Sequence, residues 1–148
     1  WQSIFMPSGS FVAGRTDQKH WLTFGSPNIL PVLYSDYPVL MTGSNVEAAV
    51  RIGALVPNLN SLESKQINWS LIPPNKDIKI RMSGLVWPEA VQRIANSAYV
   101  TREKIGKGQV ILFSGEPNFR GSTRGTNRLW LNAVVFGSGL GTNPTINP

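Results

Sequence analysis

Ala98-Tyr-Val-Thr-Arg-Glu-Lys-Ile-Gly-Lys-Gly-Gln-Val-Ile-Leu-Phe113 is the stretch from which the fold is read. Ala98 to Lys104 and Gln109 to Phe113 are strand-like segments on either side of Ile105-Gly-Lys-Gly108. Two glycines there permit positive φ, so the spacing predicts a tight hairpin. Lys107 does not make this a phosphate-gripping loop, because that motif needs more residues before its Gly-Lys and must join a strand to a helix. Val110-Ile-Leu-Phe113 is apolar without a break, the pattern of a strand covered on both faces.

Outward from the hairpin, Leu129 to Phe136 is apolar except for Asn132. Thr126 as N-cap and Gly137 as a stop make it a buried helix of about three turns, with Trp130 in the core. Asn132 must satisfy both ends of its amide, and it and Asn118 are expected to tie the loop to backbone groups. Upstream, Pro88 to Asn96 predicts a helix, with Pro88 at its first position, Glu89 in its first turn and Val91, Ile94 and Ala95 on one side. Strands are predicted over 9–14, closed by Gly14, and over 30–34, 38–41, 46–52 and 77–82. A helical turn is expected over Asp17-Gln-Lys-His20. Residues 53–77, rich in Asn, Ser and Pro, read as a long irregular connection, and 138–148 as a Gly/Pro/Asn-rich tail after a single domain over 1–137. Strands interspersed with helices indicate an α/β or α+β domain, and the hairpins a mixed sheet.

Composition narrows the chemistry. The chain has 148 residues, no Cys and one His. A disulfide scaffold, a thiolate zinc site, an iron–sulfur site and a cysteine nucleophile are thereby excluded. A zinc site is not expected from His20 alone. A Ser–His–Asp triad would have to run through His20, and the sequence lacks a G-x-S-x-G elbow. Charged residues are only 15%, against about 25% in an average domain. The net charge of +6 favours acidic partners, although the basic residues are dispersed along the chain. No run approaches the roughly 20 apolar residues of a membrane span, and the first residue is Trp, which suggests a piece of a longer polypeptide.

Gly106-Lys-Gly-Gln-Val-Ile-Leu-Phe-Ser-Gly-Glu-Pro-Asn-Phe-Arg-Gly-Ser-Thr-Arg-Gly-Thr-Asn-Arg-Leu-Trp-Leu-Asn-Ala-Val-Val-Phe-Gly137 resembles the end of the C-terminal domain that follows the catalytic domain in bacterial zinc carboxypeptidases of the M14 family. The resemblance rests on Gly106, Gly108, Pro117, Phe119, Arg120, Gly121, Gly125, Thr126, Arg128, Leu129 and Asn132. A second, weaker block is Gly9-Ser-Phe-Val-Ala-Gly-Arg-Thr-Asp-Gln-Lys-His-Trp-Leu-Thr-Phe-Gly25, and together the two cover about a third of the chain. What the resemblance implies is an α/β fold of the class I glutamine amidotransferase type. That is a three-layer, flavodoxin-like sheet with flanking helices, here incomplete. It also implies a non-catalytic accessory domain of a secreted or periplasmic metallopeptidase, docked on or supporting the catalytic domain of the same polypeptide. Zinc would then belong only to that catalytic domain: His20 is followed by Trp, Leu and Thr, so no His-x-x-Glu is present, and the amidotransferase Cys is missing. This chain is expected to need no cofactor of its own.

Arg120, Arg124 and Arg128 stand four residues apart and share a face if the segment is helical. They form an anion site if glycines 121 and 125 and the helix start cradle a ligand. Otherwise Arg120 and Arg128 brace the loop through Glu116 or backbone carbonyls. Five Trp are many for this length; Trp69 and Trp87, beside prolines or polar residues, are the candidates for exposure and for stacking on sugars. The alternative to the accessory domain is an independent binding module for anionic polymers or glycans, with nucleic acid not expected.

Overall fold

The computed structural model describes residues 2–140. A short helix α1 (Gln2–Phe5) precedes strand β1 (Ser10–Thr16), a 3-10 turn (Trp21–Thr23), β2 (Ile29–Tyr34) and β3 (Val46–Ile52). After β4 (Ala54–Pro57), β5 (Lys65–Ile67), β6 (Ser70–Ile72), β7 (Lys76–Lys79) and β8 (Arg81–Ser83) come α2 (Pro88–Ile94), β9 (Ala98–Ile105), β10 (Gly108–Phe113), a second 3-10 turn (Phe119–Gly121) and α3 (Arg124–Phe136). The central sheet is curled, runs in the order β10-β9-β3-β1-β2 with β8 attached to β1, and is flanked by the helices.

Every pairing in this sheet is antiparallel. The mixed sheet expected from sequence is therefore corrected, and the parallel strands of a flavodoxin-like arrangement are not among the described pairings. The physical reason lies in the connections: β9 and β10 are joined too tightly for the crossover that parallel neighbours need, and the segment between β1 and β2 forms a 3-10 turn instead of a crossover helix. β1 runs on through Gly14 instead of closing there. Gly14 lies opposite Leu30, and a Cβ there would sit 2.7 Å from the Val32 side chain. One edge of β1 pairs with β2. The other is divided between β8, at Phe11 and Val12, and β3, from Gly14 to Thr16. β2 is an outer strand, where Pro31 costs no essential ladder bond.

The 98–113 hairpin forms as predicted. Ile105 pairs with Gly108 and Gly106 takes φ 58° at the first of the two turn positions. Its outer strand differs from expectation. In β10, Val110 and Leu112 are exposed while Gln109, Ile111 and Phe113 turn inward, because β10 is an edge strand covered on one face. The same applies to α3. It starts at Arg124, with Thr123 and not Thr126 at the N-cap, and is buried along Thr126, Leu129 and Asn132 only. Trp130, placed in the core from sequence, is 42% exposed, with Leu131, Val134 and Val135 beside it outside. An all-apolar helix cannot show by periodicity which side meets the sheet.

The stretch 53–77 is not irregular. β4 pairs with β7 and β5 with β6 in two small ladders, their strands of three or four residues being too short to announce an alternation. The strand predicted over 77–82 is two strands serving different partners, divided at buried Ile80, whose carbonyl accepts the Ala13 N–H at 2.8 Å. Residues 38–41 contribute a single bridge, Leu40 to Ala98, instead of a strand. The predicted α2 and the strands over 30–34 and 46–52 are present. The core joins Val12, Leu30, Val32 and Tyr34 from β1 and β2, Val50 and Ile52 from β3, and Tyr99 and Val100 from β9. Leu22, Ile94 and Leu129 reach it from the turns and helices. The tail expected over 138–148 lies, from residue 141 on, outside the described residues, as does Trp1.

Candidate functional site

The site grows out of a bulge in β3. Its register against β9 shifts between Ala48 and Val50, and the Ala49 carbonyl leaves the ladder to accept the Asp17 N–H at 2.9 Å. Bulges commonly re-aim side chains beside functional sites. Here the bulge anchors the chain where β1 ends. From that anchor Asp17 holds a turn: its Oδ1 accepts the Lys19 N–H (3.0 Å) and its carbonyl the His20 N–H (3.0 Å). The expected helical turn over 17–20 is thus a hydrogen-bonded turn, and the 3-10 turn follows it.

His20 caps that 3-10 turn. Its Nδ1 accepts the Leu22 N–H at 3.1 Å, which leaves the ring proton on Nε2, where it is donated to Glu47 Oε2 at 3.1 Å. Arg102 donates from Nη1 to the same oxygen at 3.0 Å and from Nε to Gln109 Oε1 at 2.7 Å. Burial alone would raise the Glu47 pKa, but the hydrogen bonds from Arg102 and His20 and the charge of Arg102 hold it below the ordinary carboxylate range. The 3-10 turn is fastened from behind by α3. Asn132 donates from Nδ2 to the carbonyls of Leu22 (2.9 Å) and Phe24 (3.0 Å); it meets backbone groups as expected, but on the 3-10 turn and not on the loop before α3. No side-chain cap is made by Asn118.

Asp17, His20, Glu47 and Arg102 line an open groove of about 750 Å³. Arg15, Lys19, Arg51, Arg102 and Lys104 face it against only Asp17 and Glu47, so its field is positive. Arg15 and Arg51 are directly opposed across β1 and β3. Like charges in that position repel, and among the described residues neither has a carboxylate partner. Arg15 donates to the Gly53 carbonyl (3.1 Å) and Asn96 Oδ1 (2.7 Å). Arg51 donates to the Asn96 carbonyl (3.2 Å) and Thr42 Oγ1 (3.0 Å). Burial, and secondarily the charge of Arg51, lowers the Arg15 pKa; burial lowers that of Arg51. Both remain cations at neutral pH. The arrangement can hold a carboxylate, sulfate or phosphate by charge-assisted hydrogen bonds.

The three arginines singled out by spacing lie elsewhere. Arg120 belongs to the second 3-10 turn, at φ 48°, with its guanidinium 5.1 Å from the centre of the Phe119 ring. Arg124 opens α3 and Arg128 follows one turn later, beside Gly25. Only the last two share a helix, none of the three lines the groove, and none forms an ion pair among the described residues, with Glu116 or otherwise. The groove arginines escaped sequence reasoning because they are 36 and 51 residues apart. The available signal was an Arg inside each of the strand-like runs 46–52 and 98–104 and another directly after the run 9–14, places where a cation needs a reason. Among the described residues no group of three His, Asp or Glu side chains is placed to hold a metal ion. No described helix is long and apolar enough to cross a membrane. Compared with known proteins, the chain matches no protein-family model, no curated protein and no solved structure.

Proposed function

We propose that the chain is a binding module for anionic ligands, received in the groove between the 3-10 turn and β3. The observation that carries this reading is the opposed pair Arg15 and Arg51, half-buried and hydrogen-bonded only to neutral oxygens. A fold that brings two cations together without a counter-charge stores repulsion that a bound anion removes. Lys19 and Lys104 at the rim steer such a ligand inward. The test is thermal unfolding in sulfate, phosphate or citrate against chloride at matched ionic strength. A specific anion at a hundred times its Kd stabilises by about 2.7 kcal/mol. Equal melting temperatures in all four salts sink the proposal.

A second reading has its own support. Trp130, Leu131, Val134 and Val135 make an apolar face on α3, as an accessory domain docked on a neighbouring domain would have. Here that neighbour would be the catalytic domain of a zinc carboxypeptidase-like polypeptide, secreted or periplasmic, which would hold the zinc itself. Amide exchange along α3, compared between the isolated chain and the parent polypeptide, tests it. Docking predicts added protection over residues 130–136, and unchanged exchange there removes the reading.

A further inference from the structure

We propose that the ligand is an acidic glycan, one sugar ring stacked on Trp69 and the acidic group of a neighbouring unit held by Arg15 and Arg51. This deepens, and rests on, the anion-binding reading. β5 and β6 form a hairpin in which Ile67 pairs with Ser70, so Asn68 and Trp69 are its two turn residues. Asn68 takes φ 48°, a conformation Asn tolerates, and that turn carries the Trp69 side chain out to 67% exposure. The hairpin is anchored: Ser70 donates from its buried hydroxyl to the Ala95 carbonyl at 3.0 Å, at the end of α2. A turn tip that needs only small polar residues thus presents the largest apolar side chain on a fixed base.

Trp69 forms one wall of a hollow of about 490 Å³, within the range of small-ligand sites. Facing it from α2 are Glu89, Gln92 and Arg93, whose side chains make no hydrogen bond or ion pair among the described residues. An apolar plate rimmed by an acceptor, an amide and a donor matches a pyranose, which has a C–H face and a rim of hydroxyls. Arg93 disfavours a cationic guest. Glu89 accepts from sugar hydroxyls and disfavours an anionic group on the stacked unit itself, so the acid belongs on the neighbouring sugar; a nucleic acid carries a phosphate on every unit. Between this hollow and the basic groove lies a third, of about 170 Å³, lined by Trp69, Met41, Thr42 and Arg51. Trp69 is shared with the first hollow and Arg51 with the groove. An extended chain alternating apolar ring faces with acidic groups has a partner at each step.

Calorimetric titration of the full chain with a hyaluronan oligosaccharide, in which neutral and acidic sugars alternate, a heparin oligosaccharide, inorganic polyphosphate and polyuridylate tests this. At least one acidic glycan is expected to bind. Trp69→Ala is expected to weaken that binding about tenfold, Trp69→Tyr to restore most of it, and polyphosphate binding in the groove to be unaffected by either. Trp69 is exposed, so both variants should fold, and circular dichroism checks this. Lys19→Glu with Lys104→Glu, two exposed rim positions, should weaken glycan and polyphosphate alike. Glycan affinity within twofold of wild type in Trp69→Ala, or no binding of either glycan, overturns the glycan proposal while polyphosphate binding leaves the groove reading standing. Polyuridylate binding that needs Trp69 overturns it in favour of a nucleic acid. Failure of every anion overturns both.

Discussion

Replacing Asn132 by Ala should cost the protein stability and loosen the wall of the groove together. Asn132 is 4% exposed and donates both amide hydrogens to the 3-10 turn, at 2.9 Å to Leu22 and 3.0 Å to Phe24. The Leu22 bond is buried, so its carbonyl is left without a donor and costs about 1–3 kcal/mol. The Phe24 bond is partly buried; water can replace the lost donor, at about 0.5 kcal/mol net. The small cavity left by the shortened side chain adds to this, for a total of about 2–4 kcal/mol. For a chain of this length each kcal/mol lowers Tm by about 2–4 °C, so a fall of roughly 4–16 °C is expected. Urea unfolding followed by circular dichroism measures the free energy directly. Val134→Ala, on the exposed side of the same helix, is the control and should stay within about 0.5 kcal/mol of wild type. An Asn132→Ala protein as stable as that control would refute the claim that these two bonds fasten the turn. Because His20 and Trp21 stand on that turn, anion affinity should fall with the same substitution.

The Glu47 carboxyl titrates below its ordinary value when folded. Its contacts with Arg102 and His20 therefore stabilise the fold above the ordinary carboxylate range and are lost as pH falls through the folded pKa. The Tm difference between wild type and Glu47→Gln should be present at pH 7 and narrow as pH falls below the ordinary carboxylate range; a gap of the same size at every pH down to the acid limit of folding would show that the charge is not responsible. Gly53 turns β3 into β4 at φ 102°, where an added methyl group meets Ile78. Gly53→Ala should cost about 1–3 kcal/mol in urea unfolding. Gly43→Ala, with open space around it, should be nearly neutral, and equal effects at the two sites would defeat the strain argument.

Features that depend on neighbouring residues were legible before folding was considered. Gly106 and Gly108 announced the β9–β10 turn, and Pro88 and Glu89 the start of α2. The amide of Asn132, alone in an apolar run, announced a buried hydrogen-bonding task, and their polar or proline neighbours made Trp69 and Trp87 the candidates for exposure among the five Trp. Where an element's two sides differ only in what covers them, the reading went astray. Trp130 and Leu112 are as apolar as their buried neighbours, and only the edge position of β10 and the single contact face of α3 left them outside. Residues 53–77 failed for another reason: strands of three or four residues have too little alternation to be seen.

By itself the sequence determined that this is a helix-flanked β domain without thiol chemistry, with a net positive charge and a tight hairpin near its end. Composition and local turn propensity suffice for that, since each is a property of adjacent residues. Tertiary structure alone decided the antiparallel order of the strands. It also brought Arg15, Arg51 and Arg102 to one groove while leaving Arg120, Arg124 and Arg128 outside it. Strand register is a long-range choice made by burial of the shared core. The repulsion between Arg15 and Arg51, the physical basis for expecting an anion, exists only after that choice is made.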